Sequence, residues 1–335
     1  MKTELFVVTS YHHILTAIAK KYINNSQMDI LISNLSTGDD YWDLYLDKMK
    51  ENGWFCHIFY FDERKNKPPT PLHPIATYKY EMGGEKEIIK GIDGFDLFSY
   101  DMIYLIDDKM FLGSTVVRNN LPYHLCEDTV LTYQMMRKAN SSKVLAAPYN
   151  LICPILKALN YWHPVFGYGK SCKTIESSSA DGLPERLPLN KIKVVDRMGQ
   201  INSIPQSEKQ KLCEMFLSKE NMDYMRNNSD AVMLMTCPLK KGDMDFELQT
   251  SVVRKLMNLY SGAKFIIKPH PRDDTDYKKA FPGVIVLNRS FPSEVFSFLD
   301  GIEIREVVSV GSTSVNSCNF AKKKRLIMVK ELETL

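Results

Sequence analysis

Two acidic residues and one histidine have the chemical types and the positions in the sequence that suit acid–base chemistry. Glu127 and Asp128 are adjacent and follow the apolar run 122–126, and His270 lies between two prolines in Lys268-Pro269-His270-Pro271-Arg272. A carboxylate within hydrogen-bond reach of a hydroxyl can take its proton as the oxygen forms a new bond. A histidine with a backbone stiffened by prolines suits a proton donor or a phosphate ligand. These residues are therefore candidates for acid–base chemistry.

Three polar segments follow predicted strands in the second half of the chain. They are Thr236-Cys237 after the run 231–236, the His270 segment after 264–268, and Gly311-Ser312-Thr313-Ser314 after 306–310. Each is a common turn sequence by itself, but their order, each after a strand, makes them more specific together. The carboxyl ends of parallel strands meet at one edge of a sheet, so we expect the three segments to form one site. Hydroxyls and backbone N–H groups at such a turn hold an anion, which predicts a phosphate cradle in the third segment.

Strands alternate with helices in both halves of the chain, which predicts an α/β fold with parallel sheets. The first half has apolar runs at 4–9, 29–33, 55–61, 102–106 and 122–126, with helical patterns at 13–22 and 41–52. The second half has runs at 231–236, 264–268, 284–287 and 306–310, with helical patterns at 247–260 and 292–299. We predict a Rossmann-like domain over 1–175, a polar connector over 176–228 and a second Rossmann-like domain over 229–335, facing each other across a central cleft.

Composition excludes several classes of protein. The 335 residues carry 43 Lys and Arg against 40 Asp and Glu, a charge balance too even for a nucleic-acid-binding protein. The seven cysteines include no Cys-x-x-Cys pair, which indicates reduced thiols and no zinc ribbon. The first apolar run is short for a signal peptide, and no run approaches the roughly 20 residues of a membrane span. We therefore expect a cytoplasmic protein.

One dense basic cluster, Lys322-Lys323-Lys324-Arg325, stands near the end of the chain. Such a run is usually a solvated face. As an alternative, it would hold the protein at the inner face of a membrane, with about 1 kcal/mol of attraction to anionic lipid per basic residue.

In order and spacing, these motifs resemble the bacterial sialyltransferases of GT-B architecture, particularly those that build sialylated lipopolysaccharide or capsule. Glu127-Asp128 is similar to the acidic pair of that family, His270-Pro271 to its His-Pro motif, and Ser312-Thr313 to its Ser/Thr pair. The segment Phe291-Pro292-Ser293-Glu294 resembles the part that binds the nucleotide ribose. Thr129 departs from the family, which has glycine at this position.

The resemblance implies an inverting transfer of sialic acid from CMP-sialic acid to a galactose-type hydroxyl of a bacterial surface glycan, lipid-linked as one option. By matching position, Glu127 is the base with Asp128 as the alternative, and His270 protonates or stabilises the leaving phosphate. The remaining residues would bind the two substrates. The donor would be bound by Thr236, Lys268, Pro271, Glu294, Ser312, Thr313 and Ser314. The acceptor would be bound by three residues that follow the first strand: Ser10, Tyr11 and His12. Lys268 either supports the nucleotide or only ends its strand. We expect no metal and no other cofactor, because the leaving phosphate is not a diphosphate.

Other interpretations stay open at this point. Asp243-Met244-Asp245 has the spacing with which many transferases hold a divalent ion, although a solvated loop is the more frequent meaning of so short a motif. Asp107 and Asp108 at a strand end either bind acceptor or cap the next helix. Two rival functions remain: a GT-B transferase with another CMP- or CDP-linked donor, and an inactive glycan-binding or assembly protein on the same fold.

Overall fold

The chain divides into two compact units, each of which is described separately. In the computed structural model of the protein, the described residues are 2–34, 40–63, 65, 89, 91–108, 111–128, 166–181, 183, 187–237, 246–328 and 331. The N-terminal unit comprises Met1–Asp39 and Gly53–Ser203. The C-terminal unit comprises Asp40–Asn52 and Ile204–Leu335, so it includes one helix from the first part of the chain.

A seven-stranded sheet forms the N-terminal unit, and all of its strand pairs are parallel. Its strands are β1 (Thr3–Val8), β2 (Gln27–Ser33), β3 (Ile58–Phe61), β4 (Met102–Leu105), β5 (Tyr123–Leu125), β6 (Cys172–Ser177) and β7 (Ile192–Val194), in the order β3-β2-β1-β4-β5-β6-β7. Its described helices are α1 (Tyr11–Asn24), α3 (Phe111–Arg118) and α4 (Arg197–Asn202). Strands buried on both faces require near-continuous apolar runs, and β1 is buried from Glu4 to Val8.

A five-stranded parallel sheet forms the C-terminal unit. Its strands are β8 (Val232–Met235), β9 (Phe265–Lys268), β10 (Ile285–Val286), β11 (Ile304–Val310) and β12 (Ala321–Ile327), in the order β10-β9-β8-β11-β12. Its helices are α2 (Asp40–Glu51), α5 (Gln206–Phe216), α6 (Lys219–Asn227), α7 (Phe246–Leu259) and α8 (Tyr277–Ala280), with 3-10 helices at Ser293–Phe298 and Thr313–Ser317. The first five strands of the two sheets therefore have the same order, which is that of a Rossmann fold.

The expected fold class is confirmed, because both units are α/β with parallel sheets. The predicted boundaries differ from those of the structure. The segment 176–228, predicted as a connector, ends β6, forms β7 and α4 in the N-terminal unit, and forms α5 and α6 in the C-terminal unit. Many of its residues are polar, but it also contains buried apolar residues such as Ile201, Leu212 and Met225.

One further element differs from its sequence-based description. The segment 292–299, predicted as an α-helix, contains a 3-10 helix. Strand β12 begins at Ala321, so the basic cluster lies on an edge strand, where Lys322 pairs with Glu303 at 3.3 Å and Lys324 donates to the Asn316 carbonyl at 2.8 Å. Within the described residues, no helix combines the length and the apolar character that crossing a bilayer requires.

Candidate active site

The candidate residues lie at the carboxyl edges of the two sheets. Strand order reverses between β1 and β4 in the first sheet and between β8 and β11 in the second. In Rossmann-like sheets, ligands bind outside the carboxyl ends of the strands at this reversal. The residues that follow β1 and β5 in the N-terminal unit, and β8, β9 and β11 in the C-terminal unit, are therefore the ones to consider.

Asp128 and His13 form a carboxylate–imidazole pair in the N-terminal unit. The His13 Nε2 lies 3.0 Å from Asp128 Oδ1, and the Thr9 backbone N–H donates to Nδ1 at 3.2 Å. Because Nδ1 accepts a hydrogen bond, the neutral ring carries its proton on Nε2 and donates it to Asp128. Burial lowers the pKa of His13, although Asp128 opposes this shift, so the ring is neutral near pH 7. His13 thus holds one Asp128 oxygen in place.

The other features of Asp128 suit a base. Its side chain is 46% exposed, and within the described parts of the chain Oδ2 has no hydrogen-bond partner. Burial raises the pKa of Asp128, but the His13 hydrogen bond outweighs it, together with smaller contributions from the two neighbouring histidines and Arg197, and the pKa falls to about 2. The carboxylate is therefore ionised at neutral pH, with one oxygen open to a substrate.

Glu127, predicted as the base, has a different environment. It is 6% exposed and accepts three hydrogen bonds, from Ser177 Oγ at 2.8 Å, the Ser178 backbone N–H at 2.6 Å and Ser178 Oγ at 2.7 Å. Both of its oxygens are occupied by the end of the neighbouring strand β6. These contacts hold the β5 and β6 ends together and favour Asp128 over Glu127 for proton transfer.

Arg197 fixes the backbone of the acidic pair. Its guanidinium donates to the Glu127 carbonyl at 3.0 Å and to the Asp128 carbonyl at 2.8 Å. Arg197 begins α4, which packs against α1, the helix that carries His13. Neither residue is among the sequence-based candidates, because Arg197 lies in the predicted connector and His13 is adjacent to the preferred His12.

The predicted acceptor residues lie at the start of α1 in different environments. Ser10 is the half-buried residue preceding the helix, and His12 is half-buried with its ring 6.0 Å from that of His13. Tyr11 is fully buried, so its ring belongs to the interior and does not suit an acceptor contact. Asp108 is also buried, and it accepts hydrogen bonds from Tyr123 Oη at 2.8 Å and the Gly167 backbone N–H at 2.7 Å, a structural role.

In the C-terminal unit, the ends of β8 and β9 are joined at His270. The His270 backbone N–H donates to Thr236 Oγ1 at 3.0 Å, and the turn closes through a 2.8 Å bond from the Asp273 N–H to the His270 carbonyl. Within this turn, the Arg272 N–H donates to His270 Nδ1 at 3.1 Å. The neutral ring therefore carries its proton on Nε2, and this N–H is the group it can offer to a phosphate.

His270 is neutral near pH 7. Burial, with the positive charges of Arg272 and Lys268, lowers its pKa to about 4. Before any phosphate binds, His270 is thus a neutral hydrogen-bond donor and not an imidazolium acid.

Lys268 and Glu294 are both buried near this turn. The Lys268 ammonium donates to the carbonyls of Pro269 at 3.1 Å and Arg289 at 3.0 Å and lies 4.4 Å from the Phe291 ring centroid. Burial lowers the pKa of Lys268 to about 7, an effect that Glu294 opposes. These contacts place the Lys268 ammonium among carbonyls of the loops that follow β9 and β10. Glu294, the predicted ribose ligand, lies in the first turn of the 3-10 helix Ser293–Phe298 and accepts from Ser317 Oγ at 3.1 Å.

The predicted phosphate cradle follows β11. Ser312 Oγ and Ser314 Oγ are 2.7 Å apart, and both residues are half-buried at the start of the 3-10 helix Thr313–Ser317. Pro271 is half-buried in the His270 turn. The Thr313 side chain, Thr129 and the Asp243-Met244-Asp245 motif lie outside what the structure describes. Among the residues that it does describe, no group of three His, Cys, Asp or Glu side chains is arranged to hold a metal ion.

Sequence reasoning also missed Asp273, three residues after His270. Its carboxylate is 2% exposed and accepts from Thr236 Oγ1, and from Tyr277 Oη at 2.7 Å. The signal was present as an acid directly after Pro271-Arg272, but local sequence does not reveal that its partner is Thr236, the residue that follows β8.

Two Rossmann-like units, each with polar residues at the carboxyl edge of its parallel sheet, have the architecture of the GT-B glycosyltransferases. The model of glycosyltransferase family 52 matches residues 88–333, which is most of the chain and includes the acidic pair, the His270 turn and the Ser312 segment. The chain therefore belongs to glycosyltransferase family 52, which confirms the resemblance to bacterial sialyltransferases of GT-B architecture.

Solved structures with low sequence identity have a similar fold. An α/β-galactoside α-2,3-sialyltransferase of Photobacterium phosphoreum is similar with a TM-score of 0.57 and 13% identity, covering 97% of this chain and 90% of the other. S. aureus MnaA, solved with UDP, has a TM-score of 0.51 and 12% identity, covering 98% and 79%. An uncharacterized protein of Haemophilus influenzae is 28% identical over 169 residues, which are 48% of this chain and 51% of that protein. The chain thus spans about half the length of this curated relative.

Proposed function

We propose that the protein is an inverting sialyltransferase that moves sialic acid from CMP-sialic acid to a hydroxyl of a bacterial surface glycan. The C-terminal unit binds the CMP part of the donor, and the N-terminal unit binds the acceptor and supplies the base. Membership of glycosyltransferase family 52 supports the transfer chemistry. The motif resemblance supports sialic acid as the transferred sugar. The observation that carries the mechanism is the half-exposed Asp128 carboxylate, oriented by His13 and open at Oδ2.

In the proposed step, the acceptor hydroxyl gives its proton to Asp128 while the hydroxyl oxygen forms a bond to the anomeric carbon of sialic acid. The bond from that carbon to the phosphate oxygen breaks, and CMP leaves with the electron pair. Attack opposite the leaving group inverts the configuration at the anomeric carbon. The carboxylate contributes about 10²- to 10⁴-fold as a positioned base.

The developing charge on the phosphate is met by His270 and the hydroxyls after β11. His270 donates from Nε2–H, and Ser312, Thr313 and Ser314 surround the phosphate with hydroxyl and backbone donors. Donors that are positioned before the reaction stabilise a leaving oxyanion without reorganisation. Glu294 accepts hydrogen bonds from the ribose hydroxyls, while Lys268 orders the loops beneath the nucleotide. We expect no requirement for a metal, because these hydrogen-bond donors can stabilise the charge of a single phosphate.

A lipid-linked acceptor would bring the protein to the inner face of a membrane. The basic edge strand β12 supports such a peripheral contact, although Lys322 and Lys324 already have protein partners. Flotation with vesicles of anionic and of neutral lipid tests this contact: binding to anionic vesicles alone is expected, and equal behaviour with both would contradict it.

The function is tested by acceptor-dependent release of CMP from CMP-N-acetylneuraminic acid, with a panel of galactose-terminated acceptors in EDTA. We expect release with at least one acceptor and its loss in the His270→Ala protein. CMP binding without release would shift the donor to another CMP- or CDP-linked sugar. Absence of CMP binding would contradict the proposal and favour an inactive glycan-binding protein.

A further inference from the structure

The buried carboxylate of Asp273 accepts a hydrogen bond from Thr236 beside the His270 turn, and it has no role in the mechanism above. We propose that Asp273 is a positioning residue that, through Thr236, fixes the His270 turn and so determines that His270 presents Nε2–H to the leaving phosphate. The catalytic consequence rests on the proposed function, whereas the effect on His270 does not.

Four hydrogen-bond donors converge on the Asp273 carboxylate. Oδ2 accepts from Thr236 Oγ1, from Tyr277 Oη at 2.7 Å and from Gln249 Nε2 at 3.1 Å, while Oδ1 accepts from the Thr275 backbone N–H at 3.1 Å. Burial raises the pKa of Asp273, but these hydrogen bonds outweigh it and lower the pKa overall. The carboxylate is ionised, and it links β8, α7 and the loop after β9 at one point.

Thr236 transmits the position of Asp273 to His270. A hydroxyl has a single proton, and that of Thr236 is donated to Asp273. The lone pairs of Thr236 Oγ1 therefore face the His270 backbone N–H, which donates to it at 3.0 Å. Without the carboxylate, the Thr236 hydroxyl would be free to rotate and present its proton elsewhere.

Asp273 also closes the turn from the other side. Its backbone N–H donates to the His270 carbonyl at 2.8 Å, while the Arg272 N–H between them donates to His270 Nδ1 at 3.1 Å. The Nδ1 bond requires that the turn keep its shape, and Asp273 holds the turn at its end. The tautomer of the ring thus depends on a carboxylate that does not contact the ring nitrogens.

An Asp273→Asn substitution keeps the shape of the side chain and removes its charge, so that the amide cannot accept from all four donors at once. The amide places an NH₂ group either toward the three donors at Oδ2 or toward the Thr275 N–H, so donors face each other in both orientations. Asp276→Asn is the matched control. Asp276 is an exposed acid three residues further on that precedes α8 and caps it by accepting from the Lys279 N–H at 3.1 Å, and in the described structure it contacts neither Thr236 nor His270.

The first test is NMR of ring-¹⁵N-histidine-labelled protein without substrate, with the His270 signals assigned by their loss in His270→Gln. We expect a single Nε2–H tautomer in the unchanged protein and in Asp276→Asn, and averaged signals from two tautomers in Asp273→Asn. Thr236→Val removes the same link while leaving Asp273 its other donors, so it should give the same signals. Unchanged His270 signals in both folded variants would overturn the proposal.

The second test is kinetic. We expect Asp273→Asn to lower kcat about tenfold to a hundredfold with little change in the donor KM. A small displacement of a catalytic group can reduce the rate by about this factor. Thr236→Val should cause a similar loss, and the double variant should lose no more than either single one, because both break one link. Multiplying losses would overturn the proposal. If CMP-sialic acid gives no turnover, the proposed function fails, but the NMR test still decides the role of Asp273.

Discussion

Glu127 and Asp128 are neighbours with opposite environments, so their amides should affect different properties. Glu127→Gln removes the charge from a buried group that accepts three hydrogen bonds. A hydrogen bond to a charged group is worth about 1 kcal/mol more than a neutral one, so this change should cost about 3 kcal/mol of the free energy of unfolding. Asp128→Asn leaves an oxygen for the His13 N–H at a half-exposed site, and it should cost less than about 1 kcal/mol.

The catalytic effects should be reversed. Asp128→Asn removes the base and should lower kcat about 10²- to 10⁴-fold, whereas Glu127→Gln should keep kcat within about tenfold where the protein is folded. Urea unfolding followed by tryptophan fluorescence gives the first quantity, and CMP release under saturating donor and acceptor gives the second. A large kcat loss in Glu127→Gln with unchanged stability, together with an active Asp128→Asn protein, would refute the assignment of the base.

Three further outcomes follow from buried charges and histidines. His270→Gln should retain activity within about tenfold, because the amide NH₂ replaces Nε2–H, whereas His270→Ala should lose about 10²- to 10³-fold, as measured by CMP release. Lys20→Met should lower the free energy of unfolding by about 3–5 kcal/mol, because it leaves Glu176 buried without its 2.7 Å partner, and Lys20→Met with Glu176→Gln should recover most of that loss in urea unfolding. Burial lowers the pKa values of His13, His124 and His270 in the folded protein. In the unfolded chain, histidines take up protons below their usual pKa of about 6.5, whereas these three stay neutral in the folded protein. The free energy of unfolding, measured by urea unfolding, should therefore fall as pH decreases from about 6.5 toward 4.

Each of these three predictions would be contradicted by a specific result. Equal losses in His270→Gln and His270→Ala, with a kcat that falls above pH 6, would indicate an imidazolium acid. A Lys20→Met protein as stable as the unchanged one would mean that Glu176 is solvated. Stability that stays constant or rises between pH 6.5 and 5 would mean that the histidines are protonated in the folded state.

The sheets were predictable because parallel strands buried on both faces are continuous apolar runs. The runs that became β1, β2, β8, β9 and β11 are of this kind, and each has turn residues after it. Strands β6 and β7 were missed because they are mixed in polarity. Ile175 in β6 is fully buried, while Lys193 and Val194 at the sheet edge are exposed, so the surrounding serines and lysines indicated a connector.

Local motifs identified the site, but long-range contacts assigned its roles. The acidic pair and His270 could be found from residue type and position after a strand. The choice between Glu127 and Asp128 depends on Ser178 and His13, which are distant in sequence and come from β6 and α1. A hydrogen bond between residues far apart in the chain leaves no trace in either local pattern.

The measurement that tests the account most directly is the configuration of the product at first turnover. CMP-N-acetylneuraminic acid and an acceptor that supports CMP release are mixed with the protein in an NMR tube, in EDTA, and the anomeric configuration of the transferred sugar is read before equilibration. We expect inversion relative to the donor, at a rate that falls at least about a hundredfold in Asp128→Asn. Retention of configuration, or an undiminished rate in that variant, would contradict direct attack assisted by Asp128.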